Sequence, residues 1–340
     1  MYKFTEKKHF IGVDISKDVL DLSLFSGDNL ESITHFQIKN NLKGFSSILL
    51  FLKKKKIPIQ ECAFCMEHTG TYGLLFFAWL SQNEILFCVE TGLQIKRSLG
   101  MTRGKNDKVD AQRIAEYLYA HKSKLKPFQL PSTLMVKIKQ LLTYRDQMVR
   151  MRSALKNSRK SHKQYQAISG LESITKQIEK QIKDQDKIIK NIEMELLEII
   201  KSDQQLKKNY SLATSVKGIG LIIAAAMITT TNNFKSFDNG RKYACYAGIA
   251  PFEHTSGSSI RGRTKVSALG NKYVKTLLSN GANNAIRWDP ELKSYYNRKT
   301  QEGKDHKLIV NAISCKLVNR VFAVVKRQTP YVSTYQQKFA

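Results

Sequence analysis

Two kinds of hydrophobic spacing divide the chain. Early on, short apolar runs stop abruptly at polar or acidic residues, as strands do; later, apolar positions recur at three- and four-residue steps, as on helices. The run Phe10-Ile11-Gly12-Val13-Asp14-Ile15-Ser16 is apolar, β-branched and carries a carboxylate near its end, so it predicts a buried central strand delivering Asp14 to the edge of a sheet. Residues 19–25 and 33–38 predict two more strands around the turn-rich cluster Ser26-Gly27-Asp28-Asn29, giving an antiparallel meander. Leu42, Phe45, Ile48, Leu49 and Leu52 predict a helix over 41–56, with a lysine run at its C-terminal end where cations suit the helix dipole, and Pro58 closes it. Cys62-Ala63-Phe64-Cys65-Met66 predicts a second buried strand that also ends on an acid, Glu67, followed by a helix over 72–81 and a strand over 85–89.

The order βββαβαβ, with acids ending the first and fourth strands, is that of the ribonuclease H-like α/β fold. In that fold the two strands are neighbours, so Asp14 and Glu67 are expected side by side. A third acidic element, Asn106-Asp107-Lys108-Val109-Asp110, opens a helix through Ala111, Ile114, Ala115 and Leu118. Asp107 and Asp110, three apart, share a helix face. As an isolated motif this also reads as a cap, with Asp107 at the N-cap and Asp110 in a first turn favoured by the dipole. Asp18 and Asp21 read as surface charges, one in a turn and one inside the second strand.

Pro127 and Pro131 mark a linker. Beyond it Leu134, Ile138, Leu141, Leu142, Met148 and Leu155 predict one long amphipathic helix whose other faces carry Arg145, Arg150, Arg152, Lys156, Arg159, Lys160 and Lys163. After Ser169-Gly170 a second helix repeats Ile174, Ile178, Ile182, Ile189, Ile192, Leu196 and Ile199 at the steps of a coiled-coil seam. Pairing within one chain and pairing between two chains both satisfy that seam. Arginines such as Arg145, Arg152 and Arg159 read either as a solvated face or as phosphate contacts.

Ser215-Val216-Lys217-Gly218-Ile219-Gly220, followed by an apolar helix, resembles a helix-hairpin-helix element; Gly218 and Gly220 let backbone N–H groups approach a phosphate beside Lys217. Ala247-Gly248-Ile249-Ala250-Pro251 then leads into a serine- and glycine-rich stretch, 252–259, with Arg261 and Arg263 on its flank. A serine beside arginines can attack a phosphodiester while the guanidiniums stabilise developing charge, though chemistry alone does not choose among Ser256, Ser258 and Ser259. Helices over 272–286 and 307–326 are expected to close the chain. The expected organisation is 1–126, an α/β ribonuclease H-like domain; 127–210, a basic helical coiled-coil hairpin; and 211–340, a mainly α-helical domain.

Composition sharpens this picture. In 340 residues, 56 Lys plus Arg against 28 Asp plus Glu give a formal charge of +28, spread along the chain, so the partner is expected to be nucleic acid more than a membrane surface. The apolar run 221–228 is far too short to span a bilayer, and residues 1–9 are too charged for a signal peptide, so the expected location is the cytoplasm. Cys62 and Cys65 have CxxC spacing, but on a strand an offset of three puts them on opposite faces, and no second Cys or His pair completes a zinc site. All five cysteines read as free thiols. In such a protein, four carboxylates at strand ends and one helix start suit two-metal phosphoryl transfer with Mg²⁺.

Taken together, Gly12-Val13-Asp14, Glu67-His68-Thr69-Gly70, Asp107-Lys108-Val109-Asp110-Ala111, the Gly218-Ile219-Gly220 hairpin, Ala247-Gly248-Ile249-Ala250-Pro251 and Ser256-Gly257 resemble, in this order, the DEDD transposases of insertion sequences related to the Piv and MooV DNA invertases, which include bridge-RNA-guided recombinases. The resemblance implies that Asp14, Glu67, Asp107 and Asp110 hold the metal and that Ser256 forms a transient phosphoserine with DNA. It further implies a homo-oligomer, dimer or tetramer, that joins the two catalytic parts across subunits, and a structured guide RNA that pairs with donor and target DNA on the bacterial nucleoid. One departure stands out: such proteins carry a lysine after the serine in Ser267-Ala268-Leu269-Gly270-Asn271, and here it is Ala268. Three activities fit: a recombinase using Ser256, a hydrolytic Holliday-junction-type endonuclease in which water attacks, and a non-catalytic scaffold.

Overall fold

The computed structural model describes the backbone of residues 3–27, 29–68, 70–98, 106–256 and 260–332. It divides into two compact units, Met1–Leu130 and Pro131–Ala340.

The first unit is built on β1 (His9–Ile15), β2 (Val19–Ser26), β3 (Asn29–Lys39), α1 (Leu42–Lys54), β4 (Cys62–Glu67), α2 (Leu74–Gln82), β5 (Phe87–Glu90), α3 (Gly92–Ser98) and α4 (Asp107–His121). The sheet order is β3-β2-β1-β4-β5. β1 runs antiparallel to β2 and parallel to β4, and β5 is parallel to β4, which is the ribonuclease H-like arrangement expected from the sequence.

Strand alternation sorts the core into two layers. Ile11, Val13, Ile15, Cys62, Phe64 and Met66 pack with Phe45 and Ile48 of α1 and Phe76 of α2 on one face. Phe10, Ala63, Cys65 and Cys88 pack with Ile114, Ala115, Tyr117 and Leu118 of α4 on the other. Cys62 and Cys65 thus lie on opposite faces, and all five cysteines are free. Gly12 decides how closely α4 approaches: a Cβ there would overlap the carbonyl oxygen of Ala111 and the amide of Ala115. Those are backbone atoms and cannot step aside. Gly12→Ala is therefore expected to cost about 1–3 kcal/mol or more by overpacking, read as a lower urea midpoint at unchanged slope.

The second unit opens on α5 (Thr133–Ser169) and α6 (Ser173–Ser202), joined at Gly170, whose φ of 69° closes α5 in the left-handed region. The two helices pair antiparallel within the chain. Arg145 meets Glu193 at 2.7 Å, Arg152 meets Asp186 at 2.6 Å and Arg159 meets Glu179 at 3.7 Å, so the arginines step by seven up one helix while the acids step by seven down the other. Half-exposed pairs of this kind contribute at most about 1 kcal/mol each. The apolar contacts of Met148 with Ile189 and Ile192 supply cohesion, and the ion pairs fix register.

At the hairpin's root, Met135, Ile138 and Leu142 join Leu196 and Ile200 in one cluster with Leu206 of α7 (Gln204–Thr214) and Ala225, Ala226 and Ile228 of α8 (Leu221–Thr230). That shared core is why residues 127–210 and 211–340, expected as separate segments, fall largely into one compact unit.

Next come α9 (Gly240–Tyr246), β6 (Pro251–Ser256), β7 (Ile260–Val266), α10 (Lys272–Trp288), α11 (Pro290–Gln301) and α12 (His306–Arg327). β6 and β7 form an antiparallel ribbon, so the serine-rich stretch expected as loop begins on a strand. Among the described residues α12 is long and apolar enough to cross a membrane, which the sequence reading did not foresee. Here Ile309, Ile313, Leu317, Val318, Val321 and Val324 make it the spine of the core formed with α7–α10.

Candidate active site

Asp14 lies on the α4 face of the sheet, because Gly12, two residues before it, is the residue that touches α4. Glu67 has the same parity as Ala63 and Cys65, which also face α4. Register carries Val13 beside Met66, so Asp14 and Glu67 end adjacent parallel strands on one face, as the sequence predicts. α4 begins above them. Its N-cap is Asn106, whose side chain accepts from the Lys108 amide; Asp107 is therefore the first helical residue and not the cap. With Gly12 admitting α4 so closely, Asp107 and Asp110 arrive over the strand ends.

The electrostatics report this gathering directly. The Asp14 carboxyl is pushed up to about 6, first by burial and then by the negative charge of Asp107, Asp110, Glu67 and Asp21. The other three expected carboxylates therefore all lie near enough to act on Asp14. Glu67 lies against Gly92 at the start of α3, where a Cβ would overlap its carboxylate. Asp110 also receives the Arg113 guanidinium at 3.2 Å. Among the described residues no three His, Cys, Asp or Glu side chains close into a finished metal cage. The donor set, four hard carboxylates of which, among the described residues, only Asp110 meets a cation, Arg113, nonetheless suits a hard divalent cation that would draw them together.

The raised Asp14 value has a consequence for stability. The folded, metal-free protein holds that proton more tightly than the unfolded chain, whose carboxyl titrates near 3.8. As pH rises from about 4 to about 6 the unfolded state loses its proton first, so this contribution falls across that window and stays low above it. Urea unfolding in EDTA is expected to show the decline in the wild type and to lack it in Asp14→Asn.

Sequence reasoning missed two acids. Asp21, expected at the surface, is buried at 5% exposure. It sits opposite Asp14 in the β1–β2 register and accepts from His35 at 3.0 Å and from Gln37 at 3.2 and 3.1 Å. The available signal was its alternation with Leu20, Leu22 and Leu24, which turns it to the α4 face. Glu90 ends β5 opposite Glu67, and burial raises its carboxyl. Asp18 is exposed, as expected.

In the second unit the expected nucleic-acid contacts divide. Arg145, Arg152 and Arg159, expected either on a solvated face or in contact with phosphate, are each ion-paired with an acid of α6. Gly218, at φ 94°, is pressed against the Gly281 carbonyl and Ala285 of α10, so its lack of a side chain serves packing. Lys217 is exposed, and Gly220, with open space around it, caps the start of α8. Ser256 is the last residue of β6, paired with Ile260; the side chains of Ser256, Arg261 and Arg263, and residues 257–259, lie outside the described residues. The ribbon's root is rigidly seated. Gly248 (φ 68°) packs directly on Gly270, Asn271 donates its backbone N–H to the Tyr246 carbonyl at 2.8 Å, and Asn311 donates to the Ile249 carbonyl at 2.7 Å.

Sheet order and strand directions are those of a ribonuclease H-like domain, with Asp14 and Glu67 on adjacent strands. Residues 11–164 match a family described as "Transposase" of the DEDD, IS110 type, and residues 210–297 match "Transposase IS116/IS110/IS902 family". The chain belongs to the IS110 family of transposases and is a DNA transposase/recombinase enzyme. It is 25% identical over 328 residues to the pilin gene-inverting protein of Moraxella bovis, covering 95% of this chain and 98% of that one. It is 31% identical over 120 residues to a 43.6 kDa protein of insertion element IS110 from Streptomyces coelicolor, covering 35% of this chain and 29% of that one. Among solved structures, T. thermophilus RuvC in complex with a Holliday junction substrate aligns at 12% identity over 35% of this chain and 99% of that one, with a TM-score of 0.28.

Proposed function

We propose that this transposase cuts and rejoins DNA strands with Ser256 as nucleophile and with Asp14, Glu67, Asp107 and Asp110 as the ligands of a pair of Mg²⁺ ions. The observation that carries the reading is the charge gathered at Asp14, where strand β1, strand β4 and helix α4 all contribute a carboxylate. Magnesium held there would clamp a scissile phosphodiester and offset the charge that builds on its oxygens. The chain's own residues do the rest. The Ser256 hydroxyl attacks phosphorus, a Ser256 Oγ–P bond forms, and the P–O bond to the departing sugar breaks, leaving a free DNA hydroxyl. Rejoining is the reverse, a DNA hydroxyl from the exchange partner displacing the serine. Because the phosphodiester is conserved as a phosphoserine ester, no outside energy source is needed. Arg261 and Arg263, on the strand that follows, supply cations for the phosphoryl oxygens.

The rest of the chain is assigned to holding nucleic acid and assembling copies. Residues 127–210 act as a coiled-coil arm in a homo-oligomer, dimer or tetramer, in which the serine of one copy serves the acids of another. Lys217 and the Gly220 amide, at a helix-hairpin-helix element, hold a phosphate. A formal charge of +28 suits a guide RNA in addition to donor and target DNA.

The test uses supercoiled DNA carrying the ends of the protein's own element, purified protein, and the RNA that co-purifies with it. Rejoined, exchanged strands that require both RNA and Mg²⁺ are the expected product. Nicked or linear DNA without rejoining would instead favour the hydrolytic junction nuclease.

A further inference from the structure

The face of the sheet beneath the start of α4 carries a polar rung that crosses three strands in register: Asp14 on β1, Asp21 on β2 and Gln37 on β3. Asp21 is the buried member, at 5% exposure. Its carboxylate is held from the β3 side, with Oδ1 accepting from His35 at 3.0 Å and from Gln37 at 3.2 Å, and Oδ2 accepting from Gln37 at 3.1 Å. On its other side it faces Asp14. Ser23, one rung further back, donates toward the Lys108 carbonyl of α4 at 3.5 Å, so the helix start closes over this row.

We propose that Asp21 is a positioning residue for the metal centre: a fifth carboxylate, fixed by His35 and Gln37 so that it does not ligate directly, whose charge and remaining lone pairs face the outer hydration shell of a divalent ion bound at Asp14. This rests on the reading of Asp14, Glu67, Asp107 and Asp110 as the metal ligands. Two features favour it over a purely structural role. A buried anion placed directly opposite another anion is a repulsive arrangement in the empty site, and its negative charge is among those that act on Asp14. A divalent cation converts that repulsion into attraction. The carboxylate is also held by hydrogen bonds to both its oxygens, as outer-shell partners of metal ligands are held to keep one orientation. Its reach is set by the sheet register, so it does not depend on a flexible loop.

The experiment titrates Mn²⁺ into the full-length, metal-free protein and follows the free-ion signal by electron paramagnetic resonance, a readout independent of activity. Wild type is expected to bind and Asp14→Asn to lose binding. Asp21→Asn and the smaller Asp21→Ser should each bind about tenfold more weakly, the low end of the range for outer-shell partners. His35→Gln, which keeps a donor to Asp21 and leaves its charge in place, should bind within about twofold of wild type. If the Asp21 variants match wild type while Asp14→Asn has lost binding, the role of Asp21 is overturned and the metal reading stands. Complete loss in both Asp21 variants would make Asp21 a direct ligand and also overturn the proposal, as would a tenfold loss in His35→Gln. Unchanged binding in Asp14→Asn would overturn the metal reading itself.

Discussion

Replacing Asp14 by asparagine is expected to lower DNA strand cleavage by about a thousandfold or more while leaving DNA binding near its wild-type level. Asp14 is the residue on which the other acids converge, and it stands between Glu67 on one neighbouring strand and Asp21 on the other. In the proposed metal site, removing its charge takes one ligand from the centre of the set. A thousandfold loss corresponds to about 4 kcal/mol of transition-state stabilisation, within the several kcal/mol that a bound cation supplies. DNA affinity, in contrast, is expected to come from cations spread along the chain, and deleting one acid from a chain of net charge +28 should not weaken it. A single-turnover cleavage assay beside a filter-binding titration separates the two. A scaffold that merely holds nucleic acid would show no change in either.

Ser256→Ala is expected to be at least as damaging, about 10⁴-fold or more, and to abolish any protein–DNA covalent species. The fold is expected to tolerate the change, because Ser256 is the last residue of β6 and the ribbon's root is pinned elsewhere, at Gly248–Gly270 and Asn271. The thermal midpoint should therefore stay within a degree or two of wild type. Denaturing electrophoresis of the protein after incubation with labelled DNA reads the covalent species directly. If cleavage persists without it, water is the nucleophile and the enzyme acts as a junction nuclease.

Much of the first unit was legible from hydrophobic spacing because its strands are buried on two faces and bounded by turn residues. The meander and α1 follow from that pattern, and the adjacency of Asp14 and Glu67 follows from the ribonuclease H-like order of the elements. α3 escaped, being seven residues long with only Ile95 buried to mark a period. The role of Gly12 was equally invisible: a glycine inside a strand does not announce that a helix backbone lies against it. Asp21 was misjudged because an acid within a strand ordinarily faces water, and only the three-dimensional register places His35 and Gln37 around it.

The second unit taught a different lesson about charge. Seven cations on one helix read as a solvated face or a nucleic-acid face, and the acids of the following helix lie at matched heptad positions, so Arg145, Arg152 and Arg159 also help to set the register. The pattern was present in the sequence as residue numbers with a constant sum; recognising it required knowing that the chain folds back on itself at Gly170. Gly218 likewise read as a phosphate contact, whereas its neighbour is the backbone of α10. In both cases packing gives the residue a use that the sequence alone did not show.

The most direct test of the central claim, that acids from β1, β4 and α4 form one cation site, is anomalous diffraction from crystals of the full-length protein grown with Mn²⁺. The account predicts a peak among the carboxylates of Asp14, Glu67 and Asp107 or Asp110, with oxygen ligands at about 2.1–2.2 Å. Manganese bound elsewhere, with Asp14 and Glu67 left without it at saturating concentration, would contradict it.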